Sequence, residues 1–348
     1  MKKALLILVK LGITTALLWM IFREHRFTVA ILPHLRSMLT EWPWTLAGLV
    51  FVGLSTWFSA LRWQVLLIGQ EHPVPGREVL RVTVVSNFFN ITSLGAVGGD
   101  AYRVLALMQR PGARRLPILV SIMLDHMLGM LGLAVLFLTC GYAFRDRLDS
   151  YGPEVHAIVK GFSWFMGGSL VGILLSAISF TPRLYAWGER QWPWILGWPP
   201  LKSFAQACDA IRRAWGCSLL AALLSILIFG THFLSFYCGI YAVGGQAPLL
   251  EIMAAMPIVD TAAGLPISVS GLGVREKTFE TLVSAMTSVP EATAVSASLA
   301  GWGMSVVWGL LGGLLFIFGR RPTPAASLST PAPTAAPALT SATPPPDV

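Results

Sequence analysis

The chain has 348 residues, of which 55% are hydrophobic and only 12% charged, with a net charge of +8 and a mean hydropathy of +0.67. A soluble domain carries about 25% charged residues, so these numbers exclude a soluble enzyme and indicate an integral membrane protein. Its excess of Lys and Arg fits loops that face anionic lipid. No basic run alternates with exposed aromatics, which argues against nucleic acid as a partner.

A helix needs roughly 20 apolar residues to cross the hydrocarbon. The first candidate, 4–22, is too long for a signal-peptide core and lacks a small-residue cleavage site, so it reads as an uncleaved span. A second span is expected over 44–68. An apolar stretch then runs straight into a glycine cluster, "SLGAVGGDAYR". Further spans are expected over 116–140, 161–180, 218–243 and 294–318. The stretch 249–269 is interrupted by Pro257, Gly264 and Pro266. Between 181 and 216, five Trp accompany an excess of Arg and Lys, as in a segment lying in the membrane interface. The tail 322–348 is Pro, Ala, Thr and Ser with the single charge Asp347, a composition that cannot bury a core.

Lys and Arg concentrate on cytoplasmic loops. Lys2, Lys3, Arg320 and Arg321 therefore place both ends inside, and Arg103, Arg110, Arg114 and Arg115 give a third inside signal. To keep them there, 79–110 must enter and return as a hairpin. The same logic makes 249–287 a hairpin from the outside. The expected fold is all-α: six full transmembrane helices plus two re-entrant helical hairpins in an inverted repeat, with eight full spans as the alternative. The halves are about 1–142 and 161–321. Inverted repeats with broken helices meeting near the midplane are a transporter signature.

Each hairpin carries glycines beside charge. In the first, Asn87, Asn90, Gly98, Gly99, Asp100 and Arg103 fall within seventeen residues. Glycines alone serve close helix packing, the role expected of Gly168/Gly172 and Gly309/Gly313. Two amides, an acid and a base nearby instead suggest a polar site, since charge at membrane depth is costly and faces a cavity or the bundle interior. In the second, "GLPISVSGLGVRE" places Gly271 and Gly273, which tolerate positive φ, before Arg275 and Glu276, with Asp260 upstream. Asp125, three turns into its helix and next to His126, needs a partner such as Arg103. Arg62 is expected to snorkel. His232 is expected to hydrogen-bond between helices. The four Cys and six His match no metal-ligand spacing, and no nucleophile motif or phosphate loop is present. No cofactor is expected.

At these two clusters the sequence resembles the lysylphosphatidylglycerol synthase transmembrane region, also described as flippase-like membrane proteins. The first match is Asn87/Asn90 with the G-G-D-x-x-R run ending at Arg103, with Leu94-Gly95 where Pro-Gly is usual. The second is L-P-I-S-x-x-G-x-G-x-R-E over 265–276, which includes Ser268 and has Ser270 where Gly is common. The resemblance covers roughly 1–319. It implies a bacterial inner-membrane protein that moves an amphipathic lipid or lipid-linked headgroup between leaflets. Arg103 and Arg275 would hold an anionic or zwitterionic headgroup, the Gly turns would supply N–H groups, and Asp100, Asp125, Asp260 and Glu276 would meet a cation or a proton. Two-domain members add a lysyltransferase domain after this region; the low-complexity tail here leads us to expect no such domain and no enzyme activity. A non-transporting scaffold for a lipid-modifying enzyme, or a homo-oligomer, is the alternative.

Overall fold

The computed structural model describes residues 36–92, 96–110, 112–144, 151–179, 182–192, 194, 206, 208–265 and 268–318. The expected span 4–22, the first hairpin's turn at 93–95, Pro266, the centre of the basic segment 181–216 and the tail 322–348 lie outside these residues.

All the regular elements among the described residues are helical: α1 (Trp42–Gly69), α2 (Gly76–Thr92), α3 (Ala96–Met108), α4 (Arg115–Phe144), α5 (Pro153–Ser179), α6 (Pro182–Gln191), α7 (Trp215–Ala242), α8 (Leu249–Gly264), α9 (Val274–Met286) and α10 (Glu291–Phe318). In α1, α4, α7 and α10 apolar residues cover every face, as expected where lipid is the solvent on one side and protein on the other. These four are long and apolar enough to cross a membrane. The expected span 161–180 overlaps α5 up to Ser179; this helix begins at Pro153 and is not one of the four.

Both expected hairpins are broken helix pairs. Their legs have 17 and 13 residues in the first and 16 and 13 in the second. At 1.5 Å per residue each leg is about 20–26 Å long, short of the ~30 Å hydrocarbon core. Pro257, expected to interrupt the second hairpin, does not. The helix α8 runs through it to Gly264, with Pro257 buried among neighbouring helices. A proline is tolerated inside a membrane helix when surrounding groups accommodate the freed carbonyl.

The helices pack as two matching sets, α1–α4 and α7–α10. The helix α1 lies on α7. Every other pairing among these eight helices has its counterpart: α2 on α10 and α8 on α4, α1 on α4 and α7 on α10, α1 on α10 and α7 on α4. The legs α2 and α3 pair as α8 and α9 do, α3 meets α4 as α9 meets α10, and α1 meets α2 as α7 meets α8. The axis of this arrangement runs between α1 and α7, which are antiparallel. Arg62 reaches Ser225, the Ser55 hydroxyl donates to the Ile228 carbonyl at 3.1 Å, and Trp44 stacks on Tyr241 at 4.5 Å. Because α1 and α7 run in opposite directions, the two sets are inverted relative to each other.

Small residues set the closest contacts. A Cβ on Gly312 would collide with the Val84 carbonyl oxygen, and one on Gly313 would sit 2.8 Å from the Phe88 ring. This is how α10 approaches α2, in line with the role expected of Gly309 and Gly313. Gly168 and Gly172 differ: nothing lies within 4 Å of a Cβ on either, so their expected packing contact is not made among the described residues. Spacing alone does not supply a partner helix.

Candidate functional site

The first hairpin ends in a closed charge network. Arg62 Nε of α1 donates to Asp125 Oδ1 of α4 at 2.7 Å, and Arg103 Nη1 of α3 donates to Asp125 Oδ2 at 3.1 Å. Relative exposures of 7%, 7% and 4% for Arg62, Arg103 and Asp125 put all three in the interior. Arg62 Nη1 also donates to Ser225 Oγ of α7 at 2.9 Å, and Arg103 Nε to Ser86 Oγ of α2 at 3.3 Å. The Arg103 guanidinium lies 5.1 Å from the Trp63 ring centroid, within cation–π range. Asp100 faces Arg103 at 4.0 Å and His126 Nε2 at 2.7 Å, and the His126 side chain reaches the surface with 56% exposure.

Arg62 therefore does not snorkel. It is buried and clamps Asp125, because the carboxylate offers two oxygens and a single arginine takes only one of them here. Two arginines and two aspartates balance, so the network joins α1, α3, α4 and α7 without a surplus charge. One N–H proposed for a ligand is also occupied: the Gly99 amide donates to Asn90 Oδ1 at 3.0 Å. A Cβ at Gly99 would collide with that same oxygen, which explains the glycine as a close approach of the two hairpin legs.

The second hairpin turns through strained backbone. Ser270 has φ 54° and ψ 24°, Gly271 φ 74° and Gly273 φ 84°. Glu276 Oε2 accepts the Gly273 N–H at 2.5 Å and so caps the start of α9. Arg275 Nη2 donates to the Ser270 carbonyl at 2.9 Å, and its Nη1 lies 4.0 Å from Glu276 Oε1. The Ser268 hydroxyl, Arg275 Nη1 and Glu276 Oε1 are buried without a hydrogen-bond partner among the described residues. On α8, Asp260 Oδ1 faces His232 Nε2 of α7 at 3.5 Å.

A cavity of about 280 Å³ lies between α1, α2, α7 and α10. Its polar lining comes from Ser55, Thr56, Ser59, Asn87, Asn90 and His232, with Ser305 and Trp308 on the α10 side. It joins the two halves: Asn87 and Asn90 belong to the first hairpin, while His232 leads to Asp260 of the second. A separate groove of about 800 Å³ runs along α2, α3 and the end of α10, past Phe89, Gly98, Tyr102 and Phe316. Phe89 stacks on Tyr102 at 5.0 Å and meets Phe316 edge-on at 5.2 Å. Arg81 lines the same groove.

The sequence-predicted residues thus fall in distinct places. Asn87 and Asn90 line the cavity. Asp100, Arg103 and Asp125 form the buried network, and Gly98 lines the groove. Ser268, Gly271, Gly273, Arg275 and Glu276 build the second turn. Reading the sequence missed Ser55, Thr56 and Ser59, and it missed Arg62 as a network member. A signal for them exists: Ser55, Ser59 and Arg62 recur at i, i+4, i+7 on one face of an apolar helix, and Ser225 and His232 at i, i+7 on another. No group of three or more His, Cys, Asp and Glu is arranged to hold a metal among the described residues.

Broken helices packed in inverted sets, with polar groups at both breaks, match the pattern expected from the sequence. A family model described as the lysylphosphatidylglycerol synthase TM region matches residues 7–313. The chain belongs to this family. It is thus a membrane protein of the flippase-like type, and both hairpins and their charged clusters fall inside the matched region. No curated protein and no solved structure matches the chain.

Proposed function

We propose that the protein moves an amphipathic lipid, or the headgroup of a lipid-linked compound, between the leaflets of a bacterial inner membrane, with both chain ends cytoplasmic and without enzymatic chemistry. The observation that carries this reading is the cavity between α1, α2, α7 and α10, which the two inverted sets share. Its walls come from both inverted sets, so a small relative rocking of the sets opens it to either side in turn. The hairpins enter from opposite faces in this reading, and the aromatic groove beside Arg81 takes the lipid's chain while the headgroup occupies the polar cavity.

The buried network supports the scaffold of such a transporter. Arg62, Arg103 and Asp125 tie α1, α3, α4 and α7 into one unit. Arg103 is engaged there and Arg275 lies outside the cavity lining, so the hydrogen-bonding groups that face the cavity are its amides and hydroxyls and His232.

Proteoliposomes carrying chain-labelled fluorescent lipids, with dithionite added outside, test the proposal. Wild type is expected to expose inner-leaflet lipid faster than protein-free vesicles. Asn87→Leu and His232→Leu are expected to slow it about tenfold or more, since one unpaired polar group in a site costs ~1–3 kcal/mol. Equal rates with and without protein defeat the reading.

A partner-scaffold role has its own support. Trp187, Trp192, Trp194 and Trp215 are all more than half exposed, beside Arg190, Arg212 and Arg213. Replacing those three arginines with Gln abolishes function under the scaffold reading and spares it under the transport reading.

A further inference from the structure

We infer that the cavity between α1, α2, α7 and α10 takes an uncharged, hydroxyl-rich headgroup, a glycosyl or polyol unit, in preference to a phosphate or an amine. This deepens the transport reading by naming what the cavity holds. It rests on that reading for the lipid attachment, while the binding chemistry stands on the cavity itself.

No Lys, Arg, Asp or Glu lines the cavity, and the charged groups of the two hairpin clusters face one another or His126 and His232. Arg62 and Arg103 share Asp125, and Asp100 faces Arg103 and His126. His232 faces Asp260, and Arg275 faces Glu276 and the Ser270 carbonyl. A phosphate would have to displace Asp125 from its arginines or approach His232 against the Asp260 carboxylate. An ammonium would have to compete with His232 for Asp260, or with two guanidinium groups for Asp125. Either ion meets repulsion as well as attraction, which is how sites reject the wrong ligand.

The open groups are neutral and of both kinds. Asn87 donates one N–H to Thr56 Oγ1 at 3.2 Å, which leaves its carbonyl oxygen as an acceptor. Asn90 uses its carbonyl oxygen on Gly99, which leaves its amino group as a donor. The two stand one helical turn apart on α2 and both line the cavity. A phosphate oxygen only accepts and would leave the Asn87 carbonyl unpaired. An ammonium only donates and would leave the Asn90 amino group unpaired. A hydroxyl donates and accepts, and a vicinal pair satisfies both amides at once.

The apolar wall suits the same ligand. The Trp308 indole N–H is held by the Leu49 carbonyl at 2.9 Å, so the ring contributes a fixed apolar surface to the cavity. A sugar ring presents C–H groups on one face and hydroxyls at its rim. The volume of about 280 Å³ falls at the small end of ligand sites, enough for a single headgroup unit and too small for a whole lipid.

The test uses the full chain, purified in a polyoxyethylene detergent so that no sugar headgroup is carried in, and placed in phosphatidylcholine nanodiscs. Monoglucosyl-diacylglycerol, phosphatidylmethanol, whose phosphate headgroup carries no hydroxyl, and phosphatidylethanolamine with identical chains are added in equal amounts, and retained lipid is measured by native mass spectrometry. Wild type is expected to retain the glucolipid about tenfold over either phospholipid, the factor set by one unpaired polar group. Asn87→Leu is expected to remove that preference, and Ser59→Ala, which leaves the helix packing intact, to weaken it. Equal or better retention of either phospholipid overturns the inference, as does a preference unchanged in both variants. Methyl glucoside binding as tightly as the glucolipid upholds the cavity chemistry and overturns the lipid as its source. Selective glucolipid retention without transbilayer movement upholds the inference and overturns only the transport reading.

Discussion

The first hairpin and the second solve the same packing problem with opposite electrostatics. In the first, Asp125 receives two arginines from different helices, and a second carboxylate, Asp100, stands beside them. In the second, Glu276 turns back to cap its own helix while its other oxygen, the Arg275 Nη1 and the Ser268 hydroxyl find no hydrogen-bond partner among the described residues. The first hairpin also keeps its Gly99 contact satisfied by Asn90, whereas the second carries a serine at positive φ. The first is cross-braced by two arginines on one carboxylate, whereas the turn of the second is braced only locally and its first leg meets α7 through Asp260 and His232. Strained backbone and unpaired buried groups lower local stability, so the second hairpin is the more easily displaced of the two and the first is its fixed counterpart.

The largest effect is expected from breaking the braced side. Asp125→Ala leaves two buried guanidinium groups without their acceptor, a loss of about 3–5 kcal/mol. A collapse of thermal stability in detergent checks it, and replacing Arg62, Asp125 and Arg103 together with Met, Leu and Met is expected to recover most of the loss. A variant Asp125→Ala that melts like wild type would remove the contrast between the hairpins.

On the locally braced side the expected effects are smaller. Gly271→Ala puts a Cβ 2.7 Å from the Ala263 carbonyl oxygen at a positive φ, costing about 1–3 kcal/mol. Ser270→Gly relieves a left-handed serine and is expected to raise stability by up to about 1 kcal/mol. Both are read from melting temperatures, and a Ser270→Gly variant less stable than wild type would show that the turn is not strained. As the smallest case, Gly168→Ala meets open space and is expected to change stability by no more than about 0.5 kcal/mol.

Much of the architecture is visible in one dimension because lipid imposes strong rules. Apolar runs mark α1, α4, α7 and α10 within a few residues, and the Lys/Arg bias led to paired legs where the structure has α2–α3 and α8–α9. Pro257 misled because local propensity takes no account of the helices packed around it. Arg62 misled for a different reason: near the end of an apolar run it looks like an interfacial residue, and its partner Asp125 lies 63 residues away. Likewise, the cavity draws residues from α1, α2, α7 and α10, and only Asn87, Asn90 and His232 of its lining stand out in their own segments. The Gly168/Gly172 and Gly309/Gly313 pairs share one spacing, yet only the second meets a helix among the described residues, a difference held entirely by the tertiary arrangement.

The most direct measurement is transbilayer movement with the cavity filled from within. Ser59→Trp places an indole into the space that both inverted sets line, without touching the buried network. The account predicts a folded variant, with melting close to wild type, whose proteoliposomes move labelled lipid no faster than protein-free vesicles. A folded Ser59→Trp protein that moves lipid at the wild-type rate would contradict it.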